Sequence, residues 1–259
     1  MKILITAGGT IEKIDEVRHI TNNSTGSLGR AIANAFLDNE QVEKVFYVCG
    51  LAAVVPREDS RVVIIRITDV QELKSTLERI FESERIDGIV HCMAVSDYTV
   101  DNVTTSELLV SELSDKMDLP NFGELLPSVV NSCLHDENSL ASSGKISSDM
   151  SDLLIVLKKT PKIIGMLKSY QPQAVLVGFK LLNGVTEEIL IDTGRSLMKK
   201  NDCDFVFAND LTELSPERHC GYLIKLDGSY NRIEGREKIA NAIAESVVEE
   251  AARRKMGYE

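Results

Sequence analysis

The sequence contains no tryptophan, few aromatic residues and no long apolar run. Only 5% of its 259 residues are aromatic. Its apolar stretches, among them 61–67 and 174–179, are all shorter than the roughly 18 residues that a membrane span requires. No signal-peptide pattern precedes Ile3. These absences predict a soluble, cytoplasmic protein without membrane contact.

Patterns that bind zinc or form disulfides are also missing. The four histidines show no zinc-ligand spacing, and no G-x-S-x-G elbow of an α/β-hydrolase occurs. An odd number of cysteines without a C-x-x-C pair suits a reducing compartment. We therefore expect reduced, mostly buried thiols at Cys49, Cys92, Cys133, Cys203 and Cys220.

The charge balance excludes another class of partner. The chain carries 40 acidic against 29 basic residues, a net charge of −11, and has no basic run. Such a chain repels polyanions, so extended nucleic-acid binding is not expected. A small anion can still be bound by a few converging lysines.

Apolar runs alternate with helical patterns along most of the chain. Strands are predicted at 2–6, 45–49, 62–67, 87–92, 153–157, 174–179 and 204–208, and helices at 28–38, 70–82, 122–134, 186–200 and 236–255. A β-hairpin is predicted over 222–233, just before the last helix. This rhythm predicts an α/β fold: a Rossmann-like, doubly wound, mainly parallel sheet with ligands at the carboxyl ends of its strands.

Residues 99–144 interrupt this rhythm. They are rich in serine and aspartate and contain one predicted helix. A segment of this length inside a compact domain is typical of a lid, an arm or a subunit contact. We expect one domain over 1–259, with 99–144 inserted as a lid or a dimerisation arm.

Glycine-rich turns are the first candidate for chemistry. Gly8 and Gly9 follow the first strand, where backbone N–H groups can approach an anion, although a plain tight turn explains them too. Residues 22–29 (NNSTGSLG) precede a predicted helix and can form an anion site, or in part a helix cap. Arg18 is either a phosphate ligand or one half of a surface salt bridge.

Polar residues at later strand ends form the second group of candidates. Asp97, after the strand 87–92, either accepts from a ligand or caps a helix. Lys145 follows the insertion and is either a polyphosphate ligand or simply solvated. Lys180 and the pair Asn209–Asp210 lie at the ends of two further strands, where a plain turn also explains the pair. His91 is interpreted as a packed core residue rather than a base.

Together these motifs resemble the signature of the phosphopantothenoylcysteine synthetases. The resemblance covers residues 1–212 in the family's order and spacing. It is carried by 5–10 (ITAGGT), 14–15, 17–18, 20–22, Ser24, Gly26, Gly29, 94–98 (AVSDY), 144–146 (GKI), 159–161 (KTP), 178–179 and 207–210 (FAND).

The resemblance implies a ligase of coenzyme A biosynthesis. Such an enzyme activates 4′-phosphopantothenate with a nucleoside triphosphate, releases pyrophosphate, and lets the amine of L-cysteine displace the nucleotide. It implies CTP as co-substrate, with ATP as the alternative, accompanied by Mg²⁺. Because Met1 directly precedes the first strand, we expect the stand-alone bacterial form, without a decarboxylase half and without flavin.

The resemblance also implies roles for single residues and an oligomeric state. Asn22 and Lys145 are expected to be catalytic, and the metal ligands are not identified. The nucleotide is expected at Gly8, Gly9, Ala94, Asp97, Lys145 and Lys200, of which Lys200 reads the base. Phosphopantothenate is expected at Arg18, Asn22, Ser24 and Lys180. The family further implies a homodimer.

Two other functional classes compete with this interpretation. An NAD(P)-dependent Rossmann-fold reductase is suggested by Thr25–Ala31, but its glycine fingerprint should directly follow the first strand, and an acidic residue should end the second. Here some twenty residues intervene, and the second strand ends at Cys49–Gly50. A non-catalytic interaction protein is favoured only by the acidic surface and the insertion.

Overall fold

The computed structural model describes residues 1–118, 121–135, 140, 144–215 and 219–257. It divides the chain into two compact units. The first comprises Met1–Thr10, Asn22–Val95 and Lys162–Glu259, and the second comprises Ile11–Thr21 and Ser96–Pro161. Among the described residues, no helix is both long and apolar enough to cross a membrane.

The first unit is built on an eight-stranded sheet. Six parallel strands form its main part, and two antiparallel strands extend one edge. The strands are β1 (Lys2–Ala7), β4 (Lys44–Gly50), β5 (Val62–Ile67), β6 (Gly88–His91), β9 (Val175–Leu182), β10 (Phe205–Asp210), β11 (Cys220–Lys225) and β12 (Tyr230–Glu234). Their order across the sheet is β12-β11-β10-β9-β6-β1-β4-β5. The predicted mainly parallel sheet with a terminal hairpin is confirmed.

Helices cover both faces of this sheet, as a doubly wound fold requires. They are α1 (Ser27–Leu37), α2 (Val70–Ser83), α5 (Ile163–Tyr170), α6 (Glu187–Asn201) and α7 (Arg236–Met256). Alternate side chains of β1 enter different cores: Ile3 and Ile5 pack with α1 and α7, whereas Leu4 packs with α2, α5 and α6. A strand buried on both faces therefore appears in the sequence as a continuous apolar run.

Side-chain caps explain where two of these helices begin. Asp69 accepts a hydrogen bond from the Glu72 amide (2.8 Å) at the start of α2. Thr186 caps α6 through the Ile189 amide (3.4 Å). Such caps satisfy amides that have no partner inside the helix.

The second unit contains two small antiparallel sheets and two helices. β2 (Ile11–Lys13) pairs with β3 (His19–Thr21), and β7 (Tyr98–Thr104) pairs with β8 (Leu154–Lys159). Its helices are α3 (Ser106–Lys116) and α4 (Phe122–Leu134). The strand predicted at 153–157 therefore exists, but it does not join the parallel sheet.

The insertion expected over 99–144 lies inside this second unit. The unit extends further, from Ser96 to Pro161, and also includes Ile11–Thr21. Residues 119–120, 136–139 and 141–143 of the expected insertion lie outside the described residues.

Candidate functional site

The strand order of the first unit reverses between β1 and β6. From β1 the chain moves outward to β4 and β5, then returns to β6 on the other side of β1 and continues to β9 and β10. In open α/β sheets, ligands bind in the crevice outside the carboxyl ends of the strands at such a switch point. Gly8 and Gly9 directly follow β1, and Ala94 lies three residues after the end of β6.

Hydrogen bonds fix the backbone of the two loops at this switch point. The Ala94 amide donates to the Gly8 carbonyl (2.8 Å), and the Thr10 amide donates to the Ala94 carbonyl (3.4 Å). Asn22 reaches the same carbonyl, to which its Nδ2 donates over 3.3 Å. The structure therefore brings together four of the predicted site residues: Gly8, Gly9, Asn22 and Ala94.

Close backbone packing explains why glycine occupies two positions here. Gly8 has a φ of +79°, and a Cβ on it would lie 2.6 Å from the Cβ of Ala53. A Cβ on Gly50, the last residue of β4, would lie 2.2 Å from the Gly9 carbonyl oxygen. Because only glycine permits this approach, the backbone after β1 packs directly against the end of β4 and the loop that follows it.

The beginning of α1 lies against the end of β1. A Cβ on Gly29 would lie 2.6 Å from the Cβ of Ala7, so the first turn of the helix is in contact with the strand. The helix begins after Gly26 without a side-chain cap, although the Ser27 amide donates to Thr25 Oγ1 (3.4 Å). The half-buried Ser24 lies in the segment that leads into this turn.

His91, the last residue of β6, is buried and shares a 2.8 Å hydrogen bond with Thr6 Oγ1 through its Nδ1. Burial lowers the pKa of His91 to about 4, because the charged imidazolium loses its hydration. The neutral ring therefore joins β6 to β1, in agreement with the predicted core role.

Two further predicted positions lie along β9 and β10. Lys180 pairs with Ala208 in the ladder between β9 and β10, and its half-buried side chain makes no hydrogen bond or ion pair with the described residues. Asp210, at the end of β10, accepts from the amides of Gly184 (3.0 Å) and Val185 (2.9 Å) and from Thr212. These bonds hold the pKa of Asp210 well below its usual range, so this carboxylate organises a turn.

Lys200 is not brought together with the switch-point residues. It is exposed in the last turn of α6, the helix that leads from the carboxyl end of β9 to the amino end of β10. Because a crossover helix runs antiparallel to its strands, its last turn lies at the opposite edge of the sheet from Gly8 and Ala94. The contact of Lys200 with the base stays a prediction.

In the second unit, Arg18 is paired with a buried carboxylate. Its Nε (3.0 Å) and Nη2 (2.7 Å) both donate to Asp15 Oδ2. Of its three guanidinium nitrogens, Nη1 alone makes no hydrogen bond with the described residues. Arg18 therefore forms a salt bridge with Asp15. Its contact with a phosphate stays a prediction, for which Nη1 is the nitrogen that is left.

Lys145 and Asp97 are both exposed in the second unit. Lys145 has no hydrogen bond or ion pair to a described residue, and it directly precedes the buried Ile146. The Asp97 carbonyl accepts from the Thr160 amide (3.1 Å), which joins the start of β7 to the residue after β8. Thr160 Oγ1 also donates to the Ser96 carbonyl (2.6 Å).

The described residues do not form a protein cage for a divalent metal. No group of three or more histidine, cysteine, aspartate or glutamate side chains converges among them. The two most strongly hydrogen-bonded carboxylates, Asp15 and Asp210, already accept from protein donors. A Mg²⁺ ion that accompanies a triphosphate is typically bound by phosphate oxygens, water and one or two carboxylates, and so does not depend on such a cage.

A depression of about 470 Å³ lies at the opposite, amino-terminal edge of the sheet. Lys2, Asp87, Arg254 and Lys255 are among the residues that line it. Its basic groups are mostly paired: Lys255 Nζ lies 2.8 Å from Asp87, Lys2 Nζ lies 2.6 Å from Glu84, and Arg254 contacts Asp204 and Glu250. These pairs fit a structural role better than ligand binding.

Sequence reasoning assigned no role to Asp15, Ala53 or Tyr47. Tyr47 donates to the Val54 carbonyl (3.0 Å) and so fixes the loop that carries Ala53 against Gly8. Its position in β4 gives no sign of this role. For Asp15 a signal existed, because an aspartate three residues before an arginine in a short hairpin turn can accept from that arginine.

Most of the chain, including the switch-point residues, matches a known protein family. Residues 1–130 and 137–253 match the family described as the DNA/pantothenate metabolism flavoprotein C-terminal domain. The chain belongs to this family. The resemblance predicted from the motifs is thereby confirmed.

Curated relatives of this family include two bifunctional proteins. The Coenzyme A biosynthesis bifunctional protein CoaBC of Thermococcus kodakarensis is 30% identical over 227 residues, which are 87% of this chain and 45% of that protein. CoaBC of Methanocaldococcus jannaschii is 26% identical over 212 residues, covering 82% and 41%. The chain thus spans less than half the length of these relatives.

Two solved structures share the fold of this chain. The DNA/pantothenate metabolism flavoprotein from Streptococcus pneumoniae is 33% identical, with a TM-score of 0.78, and the match covers 95% of this chain and 98% of that one. A Cab2 mutant in complex with phosphopantothenate-cysteine matches with a TM-score of 0.67 over 99% and 88% of the two chains. At 17% identity, this second likeness shows the fold alone.

Proposed function

We propose that this chain is a nucleotide-dependent ligase that joins 4′-phosphopantothenate to L-cysteine in coenzyme A biosynthesis. The observation that carries the proposal is the meeting of Gly8, Gly9, Asn22 and Ala94, all residues of the family motif, at the switch point of the sheet. The names of the CoaBC relatives and the ligand of the Cab2 complex support it.

The reaction has two steps, a nucleotidyl transfer followed by an acyl transfer. First, a carboxylate oxygen of phosphopantothenate attacks the α-phosphorus of CTP, a P–O bond breaks, and pyrophosphate leaves. Second, the cysteine amine attacks the acyl carbon, CMP leaves, a C–N bond forms, and the amine loses a proton. No electrons are transferred, so we expect no flavin in this reaction. ATP is the alternative nucleotide.

Asn22 suits the acyl-nucleotide step because its side chain is a neutral carboxamide. A neutral amide can hydrogen-bond oxygens of the acyl phosphate without adding a charge that would trap it. Its Nδ2 contact with the Ala94 carbonyl holds the side chain beside the fixed backbone of the two loops. Preorganised donors of this kind stabilise charge as it develops.

The other roles follow from residue type and motif. Backbone groups at Gly8, Gly9 and Ala94 are proposed to contact the nucleotide, together with Asp97. In the second unit, Lys145 is proposed to contact the triphosphate, and Arg18 a phosphate through Nη1. Ser24 and Lys180 are proposed to contact phosphopantothenate. Any Mg²⁺ is proposed to arrive on the triphosphate.

Turnover with defined substrates tests this proposal. The protein is incubated with 4′-phosphopantothenate, cysteine, Mg²⁺ and either CTP or ATP, and pyrophosphate and nucleoside monophosphate are measured. We expect equal amounts of both products, dependent on cysteine. Lys145→Ala should raise the KM for the nucleotide about tenfold or more, whereas Lys13→Ala, at an exposed lysine of β2 in the same unit, should not. Nucleoside diphosphate as product, or no cysteine-dependent turnover with either nucleotide, would contradict the proposal.

A further inference from the structure

The turn between β2 and β3 contains a buried carboxylate. The side chain of Asp15 is 0% exposed. It accepts hydrogen bonds from the amides of Val17 (2.8 Å) and Arg18 (2.6 Å) through one oxygen. The other oxygen accepts from the Arg18 guanidinium. All of these donors belong to the same short turn.

One more donor to Asp15 comes from a distant part of the chain. The Ile146 amide donates to Asp15 Oδ2 over 3.2 Å. Arg18 Nη2 in turn donates to the Ile146 carbonyl over 2.8 Å. The ion pair therefore binds the Ile146 backbone at both its donor and its acceptor. The Ile146 side chain is itself buried, at 2% exposure.

Ile146 directly follows Lys145. The ion pair thus fixes the backbone on the carboxyl side of that lysine, while the lysine itself remains exposed. On its other side lies Gly144, which has a φ of +89°; apart from its chain neighbours, no heavy atom of the described residues lies within 4 Å of the point where a Cβ would lie. Within the described residues, the segment 144–146 is therefore anchored at Ile146 and open at Gly144.

The hydrogen bonds to Asp15 favour its charged form. Hydrogen bonds from the Arg18 side chain, and then from the amides, hold the pKa of Asp15 well below its usual range. The anchor thus does not switch off in mildly acidic conditions.

We propose that Asp15 is a positioning residue that, with Arg18, fixes the segment carrying Lys145 and thereby sets the affinity for the nucleoside triphosphate. This inference rests on the proposed function, because it assigns Lys145 to the triphosphate. A mobile lysine must lose conformational entropy when it binds a phosphate, and an anchored backbone reduces that cost. Asp15 itself need not touch any substrate.

Asp15→Asn removes the charge at nearly constant size. Its Oδ1 can still accept from the turn amides, but an Nδ2 in place of Oδ2 would face the N–H groups of Arg18 and Ile146. Donors facing donors cannot hydrogen-bond, so the contact to Ile146 should be lost. Asp59→Asn is the matched control, because Asp59 accepts from Arg61 Nε (3.0 Å) and Nη2 (2.8 Å) in a similar pair within the first unit.

Hydrogen exchange tests the anchor without reference to activity. In Asp15→Asn, the Ile146 amide should exchange at least about tenfold faster than in the wild type, whereas Asp59→Asn should leave it unchanged. Unchanged exchange of Ile146 in Asp15→Asn would overturn the inference even if the protein is an active ligase.

Kinetics then test the coupling to Lys145. Asp15→Asn should raise the KM for the nucleotide about tenfold and leave kcat within about twofold. In a Lys145→Ala background, the Asp15→Asn substitution should change the KM for the nucleotide less than twofold, because its effect depends on the lysine. A full, additive effect in that background would overturn the coupling. Absence of turnover in the wild type would instead contradict the proposed function. The hydrogen-exchange rate of the Ile146 amide would then still test whether Asp15 fixes this segment.

Discussion

Asn22 combines a contact to the Ala94 carbonyl with a neutral side chain. Asn22→Asp would place a negative charge beside that carbonyl and beside the proposed acyl phosphate. We expect the turnover number to fall by about two orders of magnitude while the Kd for the nucleotide changes less than about threefold. Rapid kinetics and equilibrium binding measure the two quantities.

A control separates this local effect from a change in total charge. Asn231→Asp is the same substitution at an exposed residue of β12, and it should leave the turnover number unchanged. An unchanged turnover number in Asn22→Asp would exclude Asn22 from the chemical step.

The buried His91 should make the free energy of unfolding depend on pH. Its pKa is about 4 when folded, below the ordinary value of 6.5, so the unfolded chain binds the proton more tightly. Stability from the neutral ring is therefore complete above pH 6.5 and is lost as the pH falls toward 4. Between pH 7 and pH 5, we expect this group to lower the free energy of unfolding by about 2 kcal/mol.

Denaturant unfolding of the wild type and His91→Gln at both pH values isolates this group. Glutamine retains a polar side chain near Thr6 but does not titrate. The loss between pH 7 and pH 5 should therefore be smaller in the variant by about that amount. An equal loss in both proteins would contradict a buried, neutral His91.

At the scale of elements, the loops after β1 and β4 meet without room for a side chain. In Gly8→Ala, the positive φ should cost about 1–2 kcal/mol, and overlap with the Ala53 Cβ should add about 1–3 kcal/mol. Gly228→Ala is the matched control, because Gly228 has a φ of +85° and no atom within 4 Å of its Cβ position. Urea unfolding should show the larger loss for Gly8→Ala, and equal losses would contradict the close contact.

Elements of the parallel sheet could be predicted because their burial leaves a clear pattern. Strands such as β1 and β6 are buried on both faces and read as short apolar runs. The carboxyl-end rule then places Gly8, Gly9 and Ala94 together without any coordinates. The same rule separates Lys200 from them once α6 is recognised as a crossover helix.

Elements of the second unit left much weaker patterns. β2 and β3 have three residues each, and α3 has no buried residue, so neither gives a clear apolar period. The contact of Asp15 with Ile146 joins residues 131 positions apart and has no periodic signal. Such long-range polar contacts become visible only in the structure.

At the scale of the whole molecule, the second unit exposes apolar side chains on α3. Val110 is 59% exposed, and Met117, just after the helix, is 61% exposed. Exposed apolar groups that form one contiguous patch are typical of an interaction surface. The resemblance implies a homodimer, and we expect α3, which lies within the insertion 99–144, to contribute to its interface.

Sedimentation equilibrium tests this proposal. The wild type should have the mass of two chains at micromolar concentration, and the double variant Val110→Ser, Met117→Ser the mass of one. Leu226→Ser, at a 71% exposed leucine of the first unit, should remain dimeric. A single-chain mass for the wild type, or a dimeric double variant, would contradict a homodimer formed through α3.

The central claim is activation of a carboxylate as an acyl nucleotide. Its most direct test uses 4′-phosphopantothenate with ¹⁸O in the carboxylate, together with cysteine, Mg²⁺ and CTP or ATP. Because the carboxylate oxygen attacks the α-phosphorus and remains on it when the amine displaces the nucleotide, mass spectrometry should find one ¹⁸O in the nucleoside monophosphate. Label in inorganic phosphate, or unlabelled monophosphate alongside formed amide, would contradict the account.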